Sequence, residues 1–304
     1  MKVKKKYVLI ILFILIWSIS YFKSLNNEAS ENVLKQDVSE EAHESIKMKI
    51  DGRLNIYYFN VGQADSILVE NNDKYMLIDA GNNADGLNIV NYMKNMGINK
   101  VEHLVATHAH EDHIGGMDDI INNFVIDNFY MPDVITTTKT FEDVITALEN
   151  NNVKFNVPNI GDKFMLGGCM FEILHLSDDD SDLNDTSIVM RGVYGENSFL
   201  FMGDATSNVE KNILKKNIDS DVLKVGHHGS KYSSMISFLN KVSPTYSIIS
   251  VGYDNSYEHP HGVTLTNLND VGSKVYRTDV DGTILVSSDG ENIEIEKLKV
   301  NLNG

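Results

Sequence analysis

The run Thr107-His108-Ala109-His110-Glu111-Asp112-His113 places four strong metal-ligand side chains within six residues. Imidazole nitrogens and a carboxylate, with no thiolate, form a donor set suited to zinc, manganese or iron. The spacing adds a geometry. His108 and His110 alternate along the chain and can face one side, while Asp112 and His113, one turn later, reach a neighbouring point. Two adjacent cation sites follow. Two divalent cations about 3.5–4 Å apart can share one water and lower its pKa from 15.7 to about 7. That change favours hydroxide by roughly 12 kcal/mol, so hydrolysis at neutral pH is the chemistry these residues point to.

Three further apolar runs end in polar residues of the same kind. Phe199–Met202 leads into Gly203-Asp204, Val222–Val225 into Gly226-His227-His228-Gly229-Ser230, and Leu77-Ile78 into Asp79. Taken alone, Asp204 reads first as a turn residue, while the double histidine reads as ligands ahead of a structural turn. Taken with the His108–His113 run, Asp204 can bridge two cations and Asp79 can orient a ligating histidine from behind. The segment His259-Pro260-His261 is a candidate for touching substrate. His103 lies inside an apolar run and reads as a core or edge residue. His175, beside a strand, reads as core before ligand, and His43 as a solvated side chain.

These residues need rigid elements to hold them. Short strands are expected at Leu54–Asn60, Ser66–Glu70, Tyr75–Ile78 and Val101–Ala106, and later at Phe171–Leu174, Ser187–Val193, Ser198–Met202, Val222–Val225 and Tyr246–Val251. Three more close the chain at Lys274–Arg277, Thr283–Ser287 and Asn292–Lys297. Helical spacing is expected at Leu87–Met96 with Gly97 as its cap, from Gly115 to Asn122, and at Asn208–Lys216, Ile236–Asn240 and Thr264–Asp270. Gly115-Gly116 lets the helix after the metal run pack closely. This alternation implies a layered α/β fold with mixed sheets, one domain over residues 51–304.

The ordered set resembles the metallo-β-lactamase superfamily, and most nearly the extracellular hydrolase domain of ComEC-type competence proteins. The segments that carry the resemblance are Asn60–Ser66, Leu77–Gly81, Thr107–Gly116, Leu183–Ser187, Met202–Asp204, Asp221–Ser230, Tyr257–Pro260 and Tyr276–Asp279. The resemblance implies a four-layer αβ/βα sandwich with a binuclear site on one edge, holding zinc or manganese. It implies that His108 and His110 hold the first metal, that Asp112, His113 and His227 hold the second, and that Asp204 bridges, with Asp79 behind them. Asp112 and His228 would be catalytic, Asp112 orienting the nucleophile and His228 serving the leaving group. Ser230, His259 and Asn184 would face the substrate. The chain departs from the pattern where the superfamily usually has a further histidine ligand, since it reads Asn184-Asp185-Thr186-Ser187. Ala64 and Glu258 likewise stand where glycine is usual.

Composition limits the alternatives. The 304 residues carry a net charge of −17, with 42% hydrophobic and 23% charged residues and one cysteine, Cys169. That excludes an acidic disordered chain, a disulfide scaffold and a multi-span channel, and disfavours a protein that coats nucleic acid. Lysines in residues 1–6 precede an apolar run over 7–22, the layout of a membrane signal anchor or of a cleaved signal. A polar stalk follows over 23–50. A single-pass cell-membrane protein with its catalytic domain outside, or a secreted one if the signal is cleaved, is expected. The expected substrate is a phosphodiester, with DNA first. Two cations against Asp112, Asp204 and a hydroxide leave the site at about +1, enough for one phosphate. The competing readings are a surface phosphocholine or teichoic-acid phosphodiesterase and a non-catalytic binding module of the same fold.

Overall fold

A computed structural model of the chain describes residues 52–302. The basic tip, the apolar segment 7–22 and the stretch 23–50 lie outside the described residues. Among the described residues no helix is long and apolar enough to cross a membrane.

Strands alternate apolar residues to opposite faces, and here both faces are covered. In β1 (Leu54–Tyr58), Leu54, Ile56 and Tyr58 turn one way and Tyr57 the other, and β2 (Ser66–Asn71) repeats this with Ile67 and Val69 against Leu68. Ile56, Ile67 and Ile78 pack against Phe171, Phe199, Phe201 and Ile248 of the second sheet, forming the core between the sheets. Leu68, Leu77 and Leu104 pack on the opposite face against Ile89, Met93, Ile120 and Val144 of the helices. On the far side, Leu200, Leu223 and Ile249 meet Val209, Phe238 and Leu268. The result is four layers, helix–sheet–sheet–helix, as the resemblance implies.

The first sheet has the order β15-β14-β1-β2-β3-β4-β5-β6 and the second β13-β12-β11-β10-β9-β8-β7. The remaining strands are β3 (Lys74–Ala80), β4 (Lys100–Val105), β5 (Val125–Tyr130), β6 (Phe155–Asn156), β7 (Lys163–Leu166), β8 (Cys169–His175), β9 (Val189–Tyr194), β10 (Asn197–Phe201), β11 (Val222–Lys224), β12 (Tyr246–Ile249), β13 (Lys274–Arg277), β14 (Thr283–Ser288) and β15 (Ile293–Leu298). Each sheet is antiparallel on one half and parallel on the other. β3-β4-β5-β6 run parallel in the first, and β10-β11-β12-β13 in the second. Parallel neighbours end on the same edge, and ligands of such sheets gather there. The end of β3 and the loops after β4, β10, β11 and β12 carry the histidines and aspartates.

The sequence reading places nothing between Asn122 and Phe171. The structure has β5, β6, β7 and the helix Lys139–Asn150 there. That helix has a legible start, since the Thr138 hydroxyl accepts from the Phe141 N–H, and a legible stripe of Phe141, Val144, Ala147 and Leu148. Other boundaries move by one to three residues at element ends. Gly97 caps the helix Gly86–Asn95 as expected, with φ +80° and its N–H on the Lys94 carbonyl.

Gly115 and Gly116 sit where side chains have no room. A Cβ on Gly115 would enter the backbone of Asn82 and Asn83, and one on Gly116 would strike the Ala80 carbonyl and Gly86. The metal run and the β3 loop are therefore in backbone contact. Gly115→Ala should cost about 3 kcal/mol in chemical denaturation. Gly262→Ala, with open space around the added carbon, should stay within about 1 kcal/mol of the parent.

Candidate metal centre

The centre begins with Asp79, buried at the end of β3 with φ +58°. Its Oδ1 accepts the Thr107 N–H at 2.8 Å, and its Oδ2 accepts the Thr107 hydroxyl and His113 Nδ1, each at 2.8 Å. Three donors make this carboxylate the fastening between β3 and the loop after β4. The Thr107 hydroxyl, spent as a donor, accepts from His108 Nδ1 at 3.2 Å. His108 and His113 therefore both keep Nε2 for the interior. His108 Nε2 lies 2.9 Å from His110 Nδ1.

The second sheet answers from across the edge. The Asp204 N–H donates to Ser187 Oγ at 3.1 Å, and the Ile188 N–H donates to the Thr107 carbonyl at 2.9 Å, which joins the two halves. His227 and His228 both adopt left-handed backbone, φ +51° and +52°. Two consecutive non-glycine residues in that region are costly. The His227 N–H on the Gly203 carbonyl, and His228 Nδ1 on the Ser250 carbonyl at 2.9 Å, hold them there.

The groups converge on Asp204. His113 Nε2 lies 3.3 Å from its Oδ1, and His228 Nε2 lies 3.4 Å from its Oδ2 and 3.3 Å from Asp112 Oδ2. One atom each of Asp112, His113, Asp204 and His228 falls within 4.8 Å of the others. His227 Nε2 stands farther off, 3.9 Å from Asp204 Oδ2. A cavity of about 520 Å³ opens over the centre, lined by His110, Asp112, Asn184, Asp204, His227, His228 and His259. Ser230 does not reach it. That residue is buried, its hydroxyl accepts from the Tyr232 N–H, and its carbonyl accepts from Thr264. The expectation that Ser230 faces substrate is corrected, because the left-handed turn aims it back into the fold. His175 is also outside the centre, with Nε2 on the Asp185 carbonyl at 2.9 Å. His103 packs between Tyr130 and Phe164 as a strand residue.

Burial and charge oppose each other here. Burial disfavours the cationic form of His228, but Asp204 and Asp112 raise its pKa to about 10. Burial likewise opposes charge on His113, and Asp204, Asp79 and Asp112 hold its pKa well above the usual imidazole value. Asp204 is buried too, and His228 and His113 keep it well below the carboxylate range. His108 goes the other way, lowered by burial and by His113, and stays a neutral donor. His113 Nε2, His228 Nε2, Asp204 Oδ1, His227 Nδ1 and Asn184 Oδ1 are buried and lack hydrogen-bond partners. Each such atom costs about 1–3 kcal/mol. A cluster of nitrogen and oxygen donor atoms in one place, with Nδ1 of His113 and His228 fixed from behind, fits divalent cations that would displace the Nε2 protons.

Beneath the centre lies a pair that the sequence reading missed. Lys224 Nζ meets Asp65 Oδ2 at 2.7 Å with both side chains buried, and Asp65 Oδ1 lies 3.5 Å from His228 Nδ1. The Asp65 N–H donates to the Asp112 carbonyl at 3.1 Å. The available signal was a lysine interrupting the apolar strand just before the double histidine. Lys224→Met should cost about 3–5 kcal/mol in denaturant unfolding by stranding a buried carboxylate. The double change Asp65→Asn with Lys224→Met should recover most of that stability.

The model of the metallo-beta-lactamase superfamily matches residues 59–253. ComE operon protein 3 of Bacillus subtilis (strain 168) is 31% identical over 199 residues, 64% of this chain and 26% of its own length. Competence protein ComA of Neisseria gonorrhoeae is 28% identical over 255 residues, 80% of this chain and 33% of its own length. The chain thus spans about a third or less of these relatives. The metallo-beta-lactamase fold protein YhfI from Bacillus subtilis matches in fold, with a TM-score of 0.54 at 11% identity over 78% of this chain and 100% of that one. The chain belongs to the metallo-β-lactamase superfamily of metal-dependent hydrolases and resembles its competence proteins.

Proposed function

We propose that the chain is a two-metal phosphodiesterase acting on DNA, held at the outer face of a membrane by residues 7–22 or secreted if they are cleaved. The observation that carries this reading is the convergence of Asp112, His113, Asp204 and His228, several with unpartnered buried atoms, next to one open cavity, with the His108 ring 4.1 Å from that of His113 and the His110 ring 4.7 Å from that of His108. The names of the competence relatives support DNA as the first substrate to test.

His108 and His110 would hold one cation, Asp112, His113 and His228 the other, and Asp204 would serve both. His228 rather than His227 suits a ligand's place, because its Nδ1–H is committed to the Ser250 carbonyl and its Nε2 faces Asp204 and Asp112. Two zinc or manganese ions held there would supply Lewis acidity and an activated water. Asp112, the more exposed carboxylate, orients the attacking water. His227 lines the cavity with its pKa lowered by burial and by the neighbouring His228 and His113, so it is placed to donate a hydrogen bond from a neutral ring to the leaving oxygen. Gln63 Oε1 accepts the Gly252 N–H, which turns its Nε2–H toward His259 Nδ1 at 3.4 Å. His259 therefore offers its Nε2–H to a phosphate oxygen. Burial and the neighbouring His228 and His227 push its pKa down to about 4, so it donates as a neutral ring.

Charge argues for a diester. Lys224 cancels Asp65, and Asp79 adds one negative charge that the sequence-based balance omits. The loaded centre is then near neutral, which suits a monoanionic diester better than a dianionic monoester.

Manganese- or zinc-loaded protein should cleave a single-stranded oligonucleotide and bis(p-nitrophenyl) phosphate. Asp204→Ala and His110→Ala should each lower kcat/KM at least a thousandfold. Folded, metal-loaded protein that leaves every diester intact would sink the proposal. Cleavage of glycerophosphocholine but not DNA would move it to the surface phosphodiesterase, and a folded chain that binds no metal to the binding module.

Metal uptake should also release protons, because His113 and His228 hold theirs until a cation displaces them. Apparent zinc affinity should accordingly fall as pH falls from 8 to 6. Calorimetry in two buffers of different ionisation enthalpy should show the release directly.

A further inference from the structure

Asn184 lines the same cavity as His110 and Asp204, yet its Oδ1 is buried without a hydrogen-bond partner. A side-chain amide oxygen has two lone pairs and is costly to bury unmet. The surrounding turn, Leu183–Thr186, is fastened on every side. Asp182 Oδ1 accepts the Asn184 N–H at 3.0 Å, and the Ser187 N–H donates to the Asn184 carbonyl at 3.2 Å. Asp185 Oδ1 accepts the Thr206 N–H and hydroxyl at 3.1 and 2.6 Å, and its Oδ2 accepts Asn208 Nδ2 at 3.2 Å. The turn is thus riveted to the segment two residues beyond Asp204. The nearby alternatives are engaged elsewhere, His175 on the Asp185 carbonyl and Ser187 Oγ on the Asp204 N–H.

We infer that Asn184 Oδ1 is a ligand of the cation held by His108 and His110, and not a substrate contact. This rests on the two-metal reading above. That cation then sees two imidazoles and two oxygens, from Asn184 and Asp204. The other sees two imidazoles with Asp112 and Asp204. A neutral amide oxygen in place of an imidazole shifts a site toward harder ions such as manganese. The two positions should therefore differ in metal preference, with the Asn184 position the more manganese-tolerant.

The test is metal binding by the full-length chain, stripped by chelation and titrated with cobalt(II), zinc or manganese against a chromogenic chelator. Asn184→Ala should weaken one of two sites tenfold or more and alter the cobalt d–d absorption of that site, leaving the other intact. Asn184→Asp, which keeps the oxygen and the turn, should restore two-site binding. Asn184→His should shift that site's preference toward zinc by tenfold or more. Two sites of parental affinity and an unchanged cobalt spectrum in Asn184→Ala would overturn the inference, even if KM rises. Asn184-dependent binding of the first cation without cleavage of any diester would uphold it and remove the hydrolase reading. Cleavage of DNA with affinities indifferent to Asn184 would do the reverse.

Discussion

Asp79 accepts three hydrogen bonds at a strand end, and the rest of the centre is hung on them. The carboxylate is buried, so it keeps its place only while Thr107 and His113 donate to it. Those donors in turn fix the loop after β4 to the end of β3. Once the loop is fixed, Nδ1 of His108 and His113 is occupied and Nε2 of each faces the centre, that of His108 against His110 Nδ1 and that of His113 toward Asp204. The parallel halves of the sheets bring this loop to the same edge as the loops after β10, β11 and β12. Glycines 115 and 116 make the approach possible, because any side chain there would push the first helices away from β3.

The opposite half of the centre stores its organisation as strain and buried charge. His227 and His228 hold left-handed backbone that isolated residues avoid, and Asp65 with Lys224 forms an ion pair with no access to water. Neither feature stabilises the fold by itself. Both fix the direction in which His228 points. A site that needs its donors aligned before a cation arrives has a use for such rigidity, since ordering costs paid in folding are not charged again at binding.

Much of this was legible in the sequence because it is local. The H-x-H-x-D-H spacing, the Gly-Asp and Gly-His-His strand ends and the alternation of Ile56, Ile67 and their neighbours each declare themselves within a few residues. The resemblance supplied the layer order. What stayed hidden depends on backbone direction or on partners far along the chain. Nothing in Gly226–Ser230 announces that both histidines take positive φ, which turns Ser230 inward and sets His228 nearer than His227 to Asp204. The partner of Lys224, Asp65, lies in the loop before β2, far along the chain. The helix Lys139–Asn150 was readable from Thr138 and its apolar stripe, but β5 and β6 beside it expose alternate residues in short segments, and their pattern is weak.

The division of the centre between two half-sheets has a consequence for the order of events during synthesis. Asp79 through His113 leave the ribosome well before Asp204 and His228, and chains are made from the N-terminus. A nascent chain therefore displays its H-x-H-x-D-H loop on an edge that nothing yet closes. The Ile188 N–H bond to the Thr107 carbonyl, and the Asp204 carboxylate between the histidines, can form only after the second sheet is threaded against the first. A truncated or stalled chain would carry only part of the converging side chains, His108 to His113 without Asp204 and His228 to close over them.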